Sequence, residues 1–197
     1  MSMQTERELK ARLDGPVEEV RQRLAETGWS LVLEGEMSDR ILDTADGRLF
    51  DADQVLRVRR ITGGEGEVQT VLTWKGPTRY ENGFKVREEL ETTTEQADAM
   101  LNLFGRLGFS TVAMSIDRRI AVYEMEAVHV RIEQYPEMDT LIEIEGEPAA
   151  VERRIADVGL PRSSWVAWRL QEFAARYEAR TGRVARLSDE DAVAEKA

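Results

Sequence analysis

The chain has no cysteine and a single histidine, His129. Without cysteine there are no disulfides, thiolate zinc sites, iron–sulfur clusters or cysteine nucleophiles. One histidine leaves too little material for a His-based zinc site or a Ser–His triad. No run of 18 apolar residues occurs, so nothing is expected to span a membrane. The polar stretch Met1–Lys10 lacks the apolar core of a signal peptide, and the expected location is the cytoplasm. Positive charge is in the minority: 27 Lys and Arg stand against 38 Asp and Glu, a formal net charge of −11. That balance argues against a uniformly basic nucleic-acid surface, though it does not constrain a local pocket.

What remains is a chain of 197 residues, 42% hydrophobic and 33% charged. Such a composition suits one folded domain that buries its own core without staples. The domain is expected over 1–182, with 183–197 as a polar, frayed tail.

Two periodicities alternate along the chain. Thr5–Leu13, Trp29–Gly35, Ser38–Asp43, Gln54–Ile61, Val68–Lys75, Phe84–Glu91, Val112–Tyr123, Val128–Gln134 and Thr140–Glu147 read as strands. Helical stripes follow Pro16 (Val17, Val20, Leu24, ending near Gly28) and Thr92–Thr94 (Met100, Leu101, Phe104, Leu107). Pro148 opens a short helix to Val158, and a long one runs from Trp165 to about Thr181 before Gly182. The strands show no regular βαβ alternation, so the fold class is α+β, with an antiparallel sheet or closed barrel.

The period-2 rule sorts the charges. Glu6, Glu8 and Lys10 share one face of their strand; so do Arg57 and Arg59, then Lys85, Arg87, Glu89 and Glu91, then Glu143 and Glu145. Leu56, Val58, Val86, Ile142 and Ile144 lie on the opposite faces. A single charged strand face is ordinarily a solvated exterior. Several strands in succession, each mixing both signs, together with helices whose apolar stripes need a partner, point to a closed barrel with its charges inside. Mixed charge in a lumen is costly unless a ligand completes it. A polyanion held by cations, with a divalent metal held by carboxylates, would do so. In Glu6-Arg7-Glu8-Leu9-Lys10 the two carboxylates stand about 7 Å apart on one face, a spacing that can clasp Mg²⁺ or Mn²⁺. Glu143-Ile144-Glu145 repeats it.

The order of these pieces resembles the CYTH superfamily, the triphosphate tunnel metalloenzymes, over residues 4 to 177. E-x-E-x-K is Glu6, Glu8 and Lys10; the "DxxxDT" piece is Asp39 to Asp43-Thr44; L-R-x-R is Leu56, Arg57 and Arg59. Leu72, Thr73, Lys75, Gly76 and Pro77 match L-T-x-K-G-P, Arg87, Glu89 and Glu91 match R-x-E-x-E, and Glu143-Ile144-Glu145 closes the series. The resemblance implies a closed eight-stranded antiparallel β-barrel with helices packed outside. Lys10, Arg57, Arg59, Lys75, Lys85, Arg87 and Arg119 would clamp a triphosphate. Glu6, Glu8, Glu143 and Glu145 would hold the metal and, with Lys10, form the catalytic set; Glu89 and Glu133 complete the implied metal group. The chain departs from the family pattern at Asp117 (usually lysine), Glu133 (usually aspartate), Ile41 (usually aromatic) and the glycine-free turn Tyr135–Asp139.

Three activities fit these residues: a metal-dependent triphosphatase for inorganic or small organic triphosphates, a class IV-type adenylate cyclase, and a non-catalytic polyphosphate- or nucleotide-binding module. No adenine-recognition motif separates the first two. The expected partner is a triphosphate-containing small molecule, with no nucleic acid and no membrane. A homodimer is reasonable from the aromatic stripe Trp165, Trp168, Phe173 and Tyr177. Trp74 is expected outside the barrel, His129 on a partly exposed strand, and Gly63–Gly66 in a hairpin, since no helix follows it to bind phosphate.

Overall fold

The structure is a computed structural model describing residues 3–189. Its nine strands are β1 (Gln4–Arg12), β2 (Ser30–Asp43), β3 (Val55–Gly63), β4 (Val68–Lys75), β5 (Arg79–Glu81), β6 (Phe84–Thr94), β7 (Thr111–Met125), β8 (Val128–Gln134) and β9 (Leu141–Glu145). The helices are α1 (Val17–Glu26), α2 (Arg48–Asp51), α3 (Ala97–Arg106), α4 (Pro148–Arg154) and α5 (Leu170–Thr181). One antiparallel sheet runs β1-β9-β8-β7-β2-β3-β4-β6-β5, and a further pairing of β1 with β6 closes it. Eight strands thus form the barrel, and the three-residue β5 is an extra edge strand on β6.

The barrel is charged inside and apolar outside where helices cover it. On β9, Ile142 and Ile144 are fully buried against the exterior helices, while Glu143 and Glu145 face the lumen. Leu9 and Ala11 do the same on β1. The larger outer core joins these strands and β8 (Val130, Ile132) to Val20 and Leu24 of α1, Val151 of α4, and Trp165. The smaller one packs Leu42, Val58 and Leu72, from β2, β3 and β4, under Met100, Leu101 and Phe104 of α3. Alternation therefore fixes both surfaces at once: each apolar position needs a helix, and each charged neighbour enters the lumen.

Several boundaries differ from the sequence expectation. The segments expected as Trp29–Gly35 and Ser38–Asp43 are one 14-residue strand, β2. Gly35 lies inside it because β2 and β3 approach closely there: a Cβ would fall 2.1 Å from the Thr62 carbonyl oxygen. Thr92–Thr94 do not cap α3 but continue β6, paired with Thr70–Leu72, as β-branched residues favour. The last helix starts at Leu170, not Trp165. Ahead of it, Val166 exchanges two 2.8 Å backbone hydrogen bonds with Lys10, where β1 has run past its β6 partners. The Glu172 carboxylate then accepts the Arg169 N–H and begins the helix. The aromatic stripe is used within the chain, with Trp165, Phe173 and Tyr177 all buried. Trp168, the fourth member, is half-buried, edge-on to Phe173 and beneath the Arg176 guanidinium.

Of the expected tail, residues 186–189 bond to β7 and to the β8–β9 turn, while 190–197 are outside the described residues. Glu137 and Arg186 exchange backbone hydrogen bonds of 3.2 and 2.9 Å, and the Asp117 N–H donates to the Leu187 carbonyl at 2.7 Å. The Asp117 carboxylate accepts from the Ser188 hydroxyl (2.5 Å), the Asp189 N–H (3.1 Å) and Arg40 (3.1 Å). Asp117 thus anchors the strap from the outer face of β7. Asp117→Ala should release residues 183–189 to limited proteolysis and lower stability by about 1–3 kcal/mol, with the barrel still folded; an unchanged digestion pattern would contradict this anchoring.

Candidate active site

The lumen is a cavity of about 520 Å³, lined on alternating positions of all eight barrel strands. Its charged lining comprises nine basic and nine acidic side chains. β1 supplies Glu6, Glu8 and Lys10; β3 supplies Arg57 and Arg59; β4 supplies Lys75; β6 supplies Lys85, Arg87, Glu89 and Glu91. β8 adds Arg131 and Glu133, and β9 adds Glu143 and Glu145. All the residues expected in the clamp and the metal set meet here except Arg119.

Arg119 is a correction. Alternation on β7 turns Ile116 and Arg118 inward and Arg119 outward, where it borders an exterior cleft with Arg21 and Glu34. Arg118 takes the lumen position instead, donating to Asp39 (3.1 Å) and Glu133 (3.0 Å). Asp39 and Arg131 were also not assigned from the sequence. Strand parity could have found Arg131, which alternates with Glu133. Trp74 lies outside the lumen, next to Gly76. His129 is half exposed, with Nε2 3.9 Å from Glu124.

The lumen charges neutralise one another. Lys75 bonds both oxygens of Glu6 at 2.7 and 2.8 Å and lies 3.1 Å from Glu89. Lys85 donates to Glu8 at 2.6 Å, and Lys10 to Glu143. Arg59 forks onto Asp39 at 2.7 and 2.9 Å. Arg57 bonds Thr73 (2.9 Å) and Glu91 (3.2 Å). Glu133, only 1% exposed, accepts from Arg118, from Arg131 at 2.9 Å and from the Tyr135 hydroxyl at 2.8 Å. Three donors take three of the roughly four lone-pair sites of this carboxylate, which holds the two arginines together.

These pairs set the ionisation. Burial alone would raise the Asp39 carboxyl, but the Arg59 and Arg118 guanidiniums hold it well below the usual carboxylate range. Glu8 is likewise buried and likewise held low, by Lys10 and Lys85. Burial also favours raising Glu133, and Arg131 and Arg118 overcome it.

Two groups stand apart. Glu145 makes no hydrogen bond or ion pair among the described residues, and burial with Glu6 and Glu8 nearby pushes it up to about 7. Arg87 is the lumen cation with no carboxylate partner among the described residues. Its Nε donates to the Gly76 carbonyl and its Nη2 to the Asp53 carbonyl, both at 2.7 Å. Glu145 faces Glu8 across the β1–β9 ladder, so β1 and β9 gather carboxylates in excess of their cations at this point. Among the described residues no three acidic side chains already converge as metal ligands. A surplus carboxylate beside Glu6 and Glu8 nevertheless has the hard oxygen chemistry that a divalent cation takes.

The sign of the Glu145 shift gives a prediction. A folded-state value above the ordinary 4.5 means that the fold favours the protonated form, so stability falls as pH rises from about 4.5 to about 7. Glu145→Gln keeps the neutral form. In metal-free buffer it should therefore melt with the parent near pH 4.5 and exceed it above pH 7, by on the order of 2–3 kcal/mol. A variant no more stable than the parent at pH 8 would contradict the burial of that charge.

Comparison with known proteins agrees with this architecture. The CYTH domain family matches residues 4–153. A Methanocaldococcus jannaschii protein named "Putative adenylate cyclase MJ0240" is 26% identical over 138 residues, covering 70% of this chain and 74% of its own. The PH1819 protein of Pyrococcus horikoshii is 21% identical and superposes with a TM-score of 0.70 over 87% of this chain and 98% of its own. HpAC1 of Hippeastrum, described as having a dominant triphosphatase activity, is 20% identical with a TM-score of 0.60, over 93% of this chain and 99% of its own. With the family match spanning β1 to α4 and the same closed barrel in both solved structures, the chain belongs to the CYTH domain family.

Proposed function

We propose that this chain is a metal-dependent triphosphatase that hydrolyses inorganic triphosphate or a small organic triphosphate inside the tunnel. The observation that carries the reading is the matched lining of nine basic and nine acidic side chains, nearly all paired with one another. A bare polyanion would leave such a lining with excess negative charge. A triphosphate accompanied by divalent cations is close to neutral and suits it. Phosphate oxygens would take Lys10, Arg57, Arg59, Lys75 and Lys85 from their carboxylates and meet Arg87 directly, with Arg118 and Arg131 adding the forks that Glu133 orients. The carboxylates released by that exchange, Glu6, Glu8 and Glu143, would hold Mg²⁺ or Mn²⁺ together with the unpaired Glu145, with Glu89 beside them. When bound, such an ion supplies charge neutralisation and an activated water.

Phosphoryl transfer asks of the protein chiefly positioning and compensation of developing charge. Guanidinium forks fixed by carboxylates and carbonyls need no reorientation when charge builds on the non-bridging oxygens. Because Glu145 titrates near 7, metal affinity should climb as pH rises through that value. The proposal implies a small-molecule substrate and a cytoplasmic setting, with no nucleic-acid or membrane partner; no described helix is long and apolar enough to cross a membrane.

Cyclisation of ATP by attack of the ribose 3′-hydroxyl on the α-phosphorus is the second reading, favoured by the name of the M. jannaschii relative. One assay decides between them. Purified protein with Mg²⁺ or Mn²⁺ is given tripolyphosphate or ATP, and phosphate, pyrophosphate and cyclic AMP are all quantified. The expected result is orthophosphate from tripolyphosphate and no cyclic AMP. Cyclic AMP with stoichiometric pyrophosphate would establish the cyclase, and tight binding without either product a binding module. In the active assay, Lys75→Ala and Arg57→Ala should each lower kcat/KM by about 10- to 1000-fold. Parent-like turnover in both variants would remove the tunnel assignment.

A further inference from the structure

Arg87 differs from the other lumen cations in what holds it. Among the described residues no carboxylate forms an ion pair or hydrogen bond with it, although it is 7% exposed; those of Asp53 and Glu6 act on it only through their charge. Two backbone carbonyls aim it, those of Gly76 and Asp53. A backbone acceptor is only as well placed as its loop, so the question becomes what fixes those two loops.

Asp53 fixes both. It lies between α2 and β3 in the left-handed region, φ 53°, which few side chains adopt readily. Its N–H donates to the Phe50 carbonyl at 3.0 Å. Its Oδ2 accepts the Thr78 N–H at 2.8 Å, tying the α2–β3 turn to the Gly76–Thr78 loop that supplies the other acceptor. The same oxygen pairs with Arg169 at the start of α5 at 2.9 Å. One residue therefore contributes an acceptor to Arg87 through its main chain and, through its side chain, holds the loop bearing the second acceptor. The Arg169 pair is about 40% exposed, so it adds little.

We propose that Asp53 is a positioning residue for Arg87: it clamps the two carbonyls that aim this unpaired guanidinium into the tunnel, ready for a phosphate oxygen. The clamp is a statement about the protein alone, whereas its use for phosphate rests on the functional reading above. Unlike the paired cations, Arg87 need not be taken from a carboxylate before it can bind.

The test separates the two statements. Asp53→Gly keeps the left-handed backbone without strain but removes the tether to Thr78. Asp53→Asn keeps an acceptor for the Thr78 N–H and tolerates the same φ while losing the charge that acts on Arg169 and Arg87. By NMR, the Arg87 Nε–H should exchange slowly in the parent and in Asp53→Asn, and lose its protection in Asp53→Gly. Parent-like protection in Asp53→Gly would overturn the clamp. Calorimetric titration with tripolyphosphate then tests its use. Asp53→Gly should bind about tenfold more weakly, Asp53→Asn should recover most of that loss, and Asp53→Gly with Arg87→Ala should bind no worse than Arg87→Ala alone. Additive losses in the double variant would overturn the coupling. A parent that fails to bind tripolyphosphate would remove the functional reading, while the Nε–H exchange would still decide the clamp.

Discussion

The pairing of β1 with β6 takes a ring of charged side chains out of bulk water, and the rest of the molecule answers to that closure. Left open, the same sheet would show a charged face to solvent and an apolar face to a layer of helices, an ordinary two-layer fold. Closed, it has no exterior face for the charges, and among the described residues all but Glu145 and Arg87 take a partner of opposite sign. The outward apolar positions must in turn be covered by helices, and two separate outer cores result. The interior is a polar network and the hydrophobic effect operates on the outside, an inversion of the usual small barrel.

That inversion assigns different work to the two layers. Ion pairs removed from water recover little more than their desolvation cost, so the lumen pairs are a weak source of stability. What they supply is order: Arg59 forked on Asp39, and Arg118 and Arg131 gathered on Glu133, are held in one geometry before any ligand arrives. Stability comes from the exterior, where Leu24, Val130, Ile144 and Val151 are completely buried. A site so prepared loses little conformational entropy on binding.

How legible this was varied with the physical cause. Strand alternation exposed the lumen residues of β1, β3, β6 and β9, because period 2 survives closure whatever the partner strand. It failed at Arg118 and Arg119, adjacent arginines of which only one can face inward, on a strand whose pairing with β2 shifts register twice. The ends of α3 and α5 were misjudged where tertiary pairing overrode local signals: Thr92–Thr94 found partners on β4, and Val166 found Lys10. The Asp117 strap and the Asp53 clamp left almost no trace, since both work through main-chain groups that every residue carries. A carboxylate accepting backbone N–H bonds reads, in sequence, like any surface aspartate.

The alternation of β9 has one more consequence. Ile142 and Ile144 belong to the hydrophobic core and Glu143 and Glu145 to the lumen, on opposite faces of the strand. Core packing and the lumen lining are thus written on interleaved positions of a single strand, with little epistasis expected between them. A lineage could exchange lumen side chains, and with them the substrate, while the exterior positions keep the barrel closed. Evolvability, in such a protein, is a property of the pleat.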